Sequence, residues 1–221
     1  MKKILARYPI FTVGLYLLSL GIVLIIRSAL GTTPISSLNY VLSLNTALSL
    51  GTCTFILNIF LIAGQFCLIR GMSSKKKILE IILQLPFSFV FCAFIDCNMY
   101  LCHNITPNSY FASIVLLLIG CLIQSTAVVL EVKSNVVMMS AEGFVKYASD
   151  RYDKEFGNIK RKFDIVLVIL AVVISLVMSK HIQGVREGTV IAALITGTAV
   201  TFISKKLLTR RYYYRIRNRK A

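Results

Sequence analysis

Residues 8–26 read YPIFTVGLYLLSLGIVLII, nineteen positions without one charged side chain. A helix needs about 20 mostly apolar residues to cross the hydrocarbon core of a bilayer, and this block has that length. Five further blocks follow: Leu50 to Ile69, Ile78 to Ile95, Tyr110 to Leu130, Phe163 to Ser179 and Thr189 to Ser204. The last two are short, which predicts spans buried within the bundle or a locally thinned bilayer. A soluble globule of 221 residues carries more charge and breaks its apolar residues into short periodic runs. Here 57% of the residues are hydrophobic and 15% charged, and the apolar ones lie in long blocks, as in a chain solvated by lipid. The first block is longer than a usual signal-peptide core, and no clear small-x-small cleavage site follows it. It reads as an uncleaved first span. The expectation is an all-α fold: a polytopic membrane helical bundle of about six spans forming one membrane domain over residues 1–221.

The net charge of +16 sits at the ends of these blocks. With the N-terminus inside, the inner segments are the first tail (Lys2, Lys3, Arg7), the loops Arg70 to Lys77 and Lys133 to Lys162, and the tail from Lys205. They hold 22 of the 25 Lys and Arg residues, leaving Arg27, Lys180 and Arg186 outside. That bias predicts that both termini are cytoplasmic. The tail over residues 207–221 carries Arg210, Arg211, Arg215, Arg217, Arg219 and Lys220 around Tyr212, Tyr213 and Tyr214. In a soluble protein it would suit RNA. Directly after a span it reads as a segment lying on anionic headgroups of the lipid bilayer, with its tyrosines at the interface, and no nucleic-acid partner is expected.

A weak internal repeat appears when the sequence is slid by 106 residues. Gly14 falls on Gly120, Ser19 on Ser125, Leu24 on Leu130, Arg27 on Lys133, Ser28 on Ser134, Ser43 on Ser149, Gly51 on Gly157, Asn58 on Asp164 and Ile59 on Ile165. Residues 8–104 and 110–206 then form two repeats of three spans each. An odd number of spans inverts the second repeat relative to the first, an arrangement common in secondary transporters. The bland reading is an old duplication that now serves packing alone.

After the first span of each repeat comes a segment of mixed character. Leu30 to Ser49 reads LGTTPISSLNYVLSLNTALS, too apolar for a free loop and too short and polar to span. Thr33 before Pro34 has the form of a helix start, a capping hydroxyl followed by proline at the first position. Its counterpart, Val136 to Glu155, has Ser140 as candidate cap. Both segments predict short helices that are re-entrant or interfacial, whose N-termini present free N–H groups. For the second, an ordinary cytoplasmic amphipathic helix stands as the alternative, given Lys146, Asp150, Arg151, Asp153, Lys154 and Glu155.

Polar residues within spans are costly in lipid and mark function or pairing. Glu80 and Glu131 fall at the cytoplasmic interface, where solvation or pairing with Lys77 or Lys133 accounts for them. Asp96, at an outer end, reads as exposed. Asp164 has Asn58 as its matched partner, yet it follows Lys160, Arg161 and Lys162, so an interfacial ion pair and a transport site both stand. The six cysteines act mostly as small apolar residues, and only Cys97 and Cys102 share an outer loop where they could pair. Neither His103 nor His181 has partners at metal spacing, so no metal is expected. There is no H-E-x-x-H, no G-x-S-x-G and no Walker A sequence, hence no enzyme activity and no cofactor are expected.

Several of these residues carry a resemblance. Arg27, Leu30, Gly31, Pro34 and Ser36 form an Arg-x-x-Leu-Gly-x-x-Pro-x-Ser pattern after the first span. Leu50–Gly51–Thr52 opens the second span, Gly157 and Asp164 recur in the second half, and Gly188–Thr189 with Gly197 marks the last span. The chain resembles the YczE/YyaS/YitT-like group of bacterial integral membrane proteins over nearly its whole length. In that group an Asp usually stands two residues after the proline, where this chain has Ser36. In the second copy Ser140 replaces the proline and Glu142 keeps an acid. The resemblance implies a multi-pass protein of the bacterial cell (inner) membrane and supplies no substrate.

Two functions follow as expectations. One is a secondary transporter of a small-molecule substrate, held where the two short helices meet by Thr33, Ser36, Asn58, Ser140, Glu142, Asp164 and Thr189. The other is a non-transporting membrane accessory or scaffold protein whose polar residues only hold helices together. The charge bias is directly testable. Reporters fused at either end should be active only on the cytoplasmic side, and a C-terminal reporter active outside the cell would refute the assignment.

Overall fold

The computed structural model describes residues 7–70, 75–134 and 136–207. Lys2, Lys3 and the basic tail beyond Leu207 lie outside the described residues. The described chain forms eight helices: α1 (Arg7–Arg27), α2 (Pro34–Asn45), α3 (Leu50–Leu68), α4 (Lys75–Leu101), α5 (Tyr110–Ser134), α6 (Ser140–Tyr152), α7 (Phe156–Ser179) and α8 (Glu187–Leu207). No strand occurs among the described residues.

Local chemistry sets several boundaries. Thr33 precedes α2 in extended conformation and accepts from the Ser36 N–H, with Pro34 at the first helical position. Ser49 caps α3 in the same way, accepting from Thr52 N–H at 3.0 Å. Asp153 and Lys180, both left-handed, end α6 and α7. Helix α7 begins seven residues ahead of the apolar block at Phe163, because Lys160 and Asp164 pair at helical spacing across its polar first turns.

Five helices, α1, α3, α4, α5 and α7, are long and apolar enough to cross a membrane. In place of a sixth such helix, α8 has a shorter apolar stretch, Glu187–Val200. The two short segments are helices, as expected, of 12 and 13 residues.

The helices assemble around one antiparallel seam, α1 against α5. A Cβ on Gly14 would lie 3.3 Å from the Cγ of Glu131, one on Gly21 2.8 Å from Gln124 N, and one on Gly120 3.0 Å from Ile25 N. Small residues let the two backbones approach this closely. A shift of 106 carries the Gly14–Glu131 contact onto Gly120–Ile25, so the seam maps onto itself. The same shift carries the first residues of α2 and α3 onto those of α6 and α7. Each short helix packs on the opposite half: α2 on α7, and α6 on α3. Leu38 and Val41 meet Leu167 and Ala171 in one such contact, while Ile62 and Ile69 meet Tyr147 in the other.

The halves also differ. Gly51 is wedged against α4, its Cβ position 2.4 Å from Cys92 O, whereas its counterpart Gly157 has nothing within 4 Å. Asp96 is not merely exposed: it accepts from Gly51 N–H at 2.8 Å and from Ser49 Oγ at 2.7 Å, capping α3 from α4.

These contacts predict opposite outcomes for two glycines. Gly21→Val should destabilise by about 1–3 kcal/mol through overpacking of the seam. Gly157→Ala should be neutral or stabilising by up to about 1 kcal/mol. Thermal unfolding of the detergent-solubilised protein distinguishes them, and equal losses would refute the seam.

Candidate functional site

A cavity of about 360 Å³ lies among α1 to α6. Thr33, Ser36 and Asn39 line it from α2 and its cap, Thr54 and Asn58 from α3, Glu80 and Gln84 from α4, Gln124 and Glu131 from α5, and Ser140, Glu142 and Lys146 from α6. Apolar walls come from Leu18, Ile22, Phe91, Ile95 and the Val136–Met139 linker. Both short helices therefore bring their N-terminal turns to one cavity. Of the seven residues expected at a solute site, five line it: Thr33, Ser36, Asn58, Ser140 and Glu142.

Part of this polar lining is occupied by bonds between helices. Ser140 Oγ donates to Asn58 Oδ1 at 2.6 Å, fixing the start of α6 to α3. Gln65 and Gln84 exchange two amide bonds at 2.8 and 2.9 Å, and Gln65 Nε2 also donates to Ser140 O at 3.0 Å. Gly143 permits this approach, since a Cβ there would lie 2.8 Å from Gln84 Nε2. Glu80 pairs with Lys146 at 3.6 Å and accepts from Tyr147 Oη at 3.3 Å. Burial and the Glu80 carboxylate push the Tyr147 phenol up to about 12, so it remains a donor at neutral pH.

The rest of the lining has no such use. Asn39 Oδ1, Gln124 Oε1 and Glu131 Oε1 are buried and have no hydrogen-bond partner among the described residues. Asn39 is only 1% exposed. Glu131 is half-buried on the cavity wall, and the like charge of Glu142 acts on it. No ion pair of Glu131 or Glu142 occurs among the described residues. Asn39, Gln84, Gln124 and Glu131 were not expected at the site. Gln124 and Gln84 lie within predicted spans, so their cost in lipid was a readable signal. Glu131 read as interfacial because it ends an apolar block, and nothing in its local sequence shows that it lines a cavity together with the Val136–Met139 linker.

A family model described as "Family of unknown function (DUF6198)" matches residues 5–205. The chain belongs to this family. The match runs from α1 through most of α8 and so takes in the whole cavity. No curated protein and no solved structure matches the chain.

Two expected site residues lie outside the cavity, which takes no lining from α7 or α8. Asp164 is half-buried on α7 and accepts from Lys160 Nζ at 2.6 Å. Its repeat-mate Asn58 meets Ser140 Oγ, but the residue matching Ser140 is Pro34, which has no donor. The Asp164 carboxylate therefore takes its own i−4 lysine, and an ion pair is the arrangement found. Thr189 is buried at the start of α8, where its Oγ1 accepts from Thr32 N–H at 3.2 Å and Arg186 N–H at 3.3 Å. With Thr32 Oγ1 on Gly184 O at 2.9 Å and Gly188 N–H on Leu30 O at 2.8 Å, it sews the α1–α2 linker to the α7–α8 loop. Gly31, at φ +132, lies where a side chain would meet Thr189 Oγ1. Thr189 thus supports the loop that presents Thr33 and is not part of the cavity wall.

All six cysteines are free thiols, with Cys97 exposed and Cys102 buried. No group of three or more His, Cys, Asp and Glu side chains suited to a metal ion occurs among the described residues.

The placements of Asp164 and Asn58 predict different responses. Asp164→Asn should cost no more than about 0.5 kcal/mol, as for an i,i+4 pair. Asn58→Leu leaves the buried Ser140 hydroxyl without its acceptor and should cost about 1 kcal/mol or more. Unfolding midpoints of the two variants in one detergent check the order, and a larger loss at Asp164 would contradict it.

Proposed function

We propose that the chain is a secondary transporter of a small solute, built as two inverted repeats, with both termini in the cytoplasm of a bacterial cell. The single observation that carries this reading is the cavity between the N-terminal turns of α2 and α6, with polar atoms that no part of the described chain satisfies. Unsatisfied buried groups cost about 1–3 kcal/mol each. A solute or its water entering the cavity would offset that cost. Short helices whose N-termini meet at the interface of two repeats are the usual setting of transporter sites. The antiparallel α1–α5 seam and the crossed packing of α2 on α7 and α6 on α3 support two inverted halves able to rock about one axis.

A membrane accessory or scaffold protein is the second reading. It is favoured by the Gln65–Gln84 and Asn58–Ser140 bonds, which hold helices together as structural polar residues do. Those bonds leave Asn39, Gln124 and Glu131 unused, which a purely structural role does not explain.

Alternating access separates the two. Ser36→Cys places a thiol on the cavity wall. A membrane-impermeant maleimide should label it in both right-side-out and inside-out vesicles, with peptide mass spectrometry separating it from the native cysteines. Labelling from neither face, or from one face only, would refute the transporter reading.

A further inference from the structure

The proposed transporter has an unspecified solute, and the unused atoms of the cavity bear on what it is. Resting on that reading, we propose that the solute is a small organic cation bearing N–H donors, an ammonium or guanidinium compound, held by Glu131 and Glu142. Three observations lead there. The buried, unpartnered atoms of the cavity wall are all acceptor oxygens, on Asn39, Gln124 and Glu131. An amide can present either of its ends, but a carboxylate, the form a bound cation would favour at Glu131, only accepts. The acids are also not balanced: Lys146, which lines the cavity too, pairs with Glu80, which leaves Glu131 and Glu142 without an ion pair among the described residues.

The helix N-termini at the cavity would by themselves favour an anion. The chain counters that preference at each, by bonds in α2 and by a charge in α6. In α2 the first position is Pro34, which has no N–H, and the Ser36 and Ser37 N–H groups bond to Thr33 Oγ1 and Thr33 O at 3.4 and 2.9 Å. In α6 the first turn carries Glu142 itself, which sets a negative charge against the positive end of the helix. The free capacity of the side chains on the cavity wall is for donors and positive charge.

Size and ligand type narrow the class. A volume of about 360 Å³ far exceeds the ~30 Å³ share of one water and reaches the low end of the ~300–1,000 Å³ range of small-molecule pockets. Acceptors spread over α2, α5 and α6 suit a multi-donor head that hydrogen-bonds to several walls at once. Apolar Leu18, Ile22 and Phe91 suit a short hydrocarbon body.

The test uses the full chain in lipid nanodiscs, with thermal unfolding as the readout and a fixed panel of probes: methylguanidinium, ethylammonium, tetramethylammonium, acetate and glycerol. Methylguanidinium or ethylammonium should raise the midpoint in a saturable way, and tetramethylammonium, with charge but no N–H, should do so less. Glu131→Gln and Glu142→Gln should each weaken the binding at least ~10-fold, while Asp164→Asn should leave it unchanged. Glu131→Gln replaces an acid that faces Glu142 with an uncharged group of the same shape, so it should fold at least as stably as the parent. Glu142→Gln, on the rim of the cavity, is an independent check should it not. No shift with either N–H cation, or a shift that survives both Gln variants, would overturn the proposal. A shift with acetate or glycerol in place of the N–H cations would also overturn it, while leaving a solute-binding cavity. Cation binding together with one-sided labelling of Ser36→Cys would keep the solute class and remove the transporter reading, so the two failures are distinct.

Discussion

Backbone N–H and C=O groups buried away from water must find partners, and the two short helices are where this chain meets that constraint most sharply. Both α2 and α6 begin inside the bundle, with Ser36 and Ser140 buried. The start of α2 is satisfied by Thr33, and by a linker whose own polar groups are bonded to the 184–189 loop. At the start of α6 no side chain caps the first N–H groups; there the Ser140 carbonyl accepts from Gln65 and its hydroxyl donates to Asn58. A helix of 12 or 13 residues is only about 18–20 Å long, so neither reaches across the bundle. The space beyond their first turns is the cavity.

The two halves share a plan and fill it unequally. Gly51 abuts Cys92 and Asp96 so closely that α3 and α4 form a tight pair. In the second half Gly157 is open, and Phe202 stands where Asp96 would be, so α7 has no matching cap from α8. The cavity lies among α1 to α6 and takes no lining from α7 or α8. The substitution of Pro34 for Ser140 has the same consequence at one residue pair, leaving Asp164 to Lys160. Different side chains at positions one offset apart thus serve different ends in the two halves.

Much of this fold was legible in the sequence because lipid imposes a long, one-dimensional signal. Long apolar blocks gave five of the spans, and Thr33–Pro34 marked the start of α2 through a local cap that needs no tertiary knowledge. The constant offset placed the start of α6 at Ser140, but not as the expected cap: Met139 precedes the helix, no side chain caps it, and the Ser140 hydroxyl donates to Asn58. What sequence could not carry was which polar residues would be used up by one another. Asn58 and Asp164 look equivalent until the residue facing each is known, 82 residues away in one case and four in the other. Glu131 read as an interfacial residue, since nothing local announces that Val136 to Met139 folds back beside it. Thr189 sat in a recognisable Gly-Thr pair, yet its hydroxyl serves a loop from the other half.

The balance between scaffold and carrier turns on polar atoms that hold nothing. Interhelical hydrogen bonds in membranes stabilise by about 0.6 kcal/mol on average, and the Gln65–Gln84 and Asn58–Ser140 bonds are of this kind. They explain why polar residues occur in α3, α4 and α6. They do not explain Glu131, whose carboxyl faces a second acid and gains nothing from either helix of the seam in which it sits. Gly14 packs on its Cγ, so the position tolerates an aliphatic stem, and a Leu or Met there would pack without placing a carboxyl in the interior. A polar group left without a partner in the interior costs about 1–3 kcal/mol, a sizeable fraction of the roughly 5–15 kcal/mol that holds a domain folded. A packing role supplies no compensating term of that size. A bound cation would, and would do so only while present, which makes Glu131 a residue whose stability depends on occupancy of the cavity.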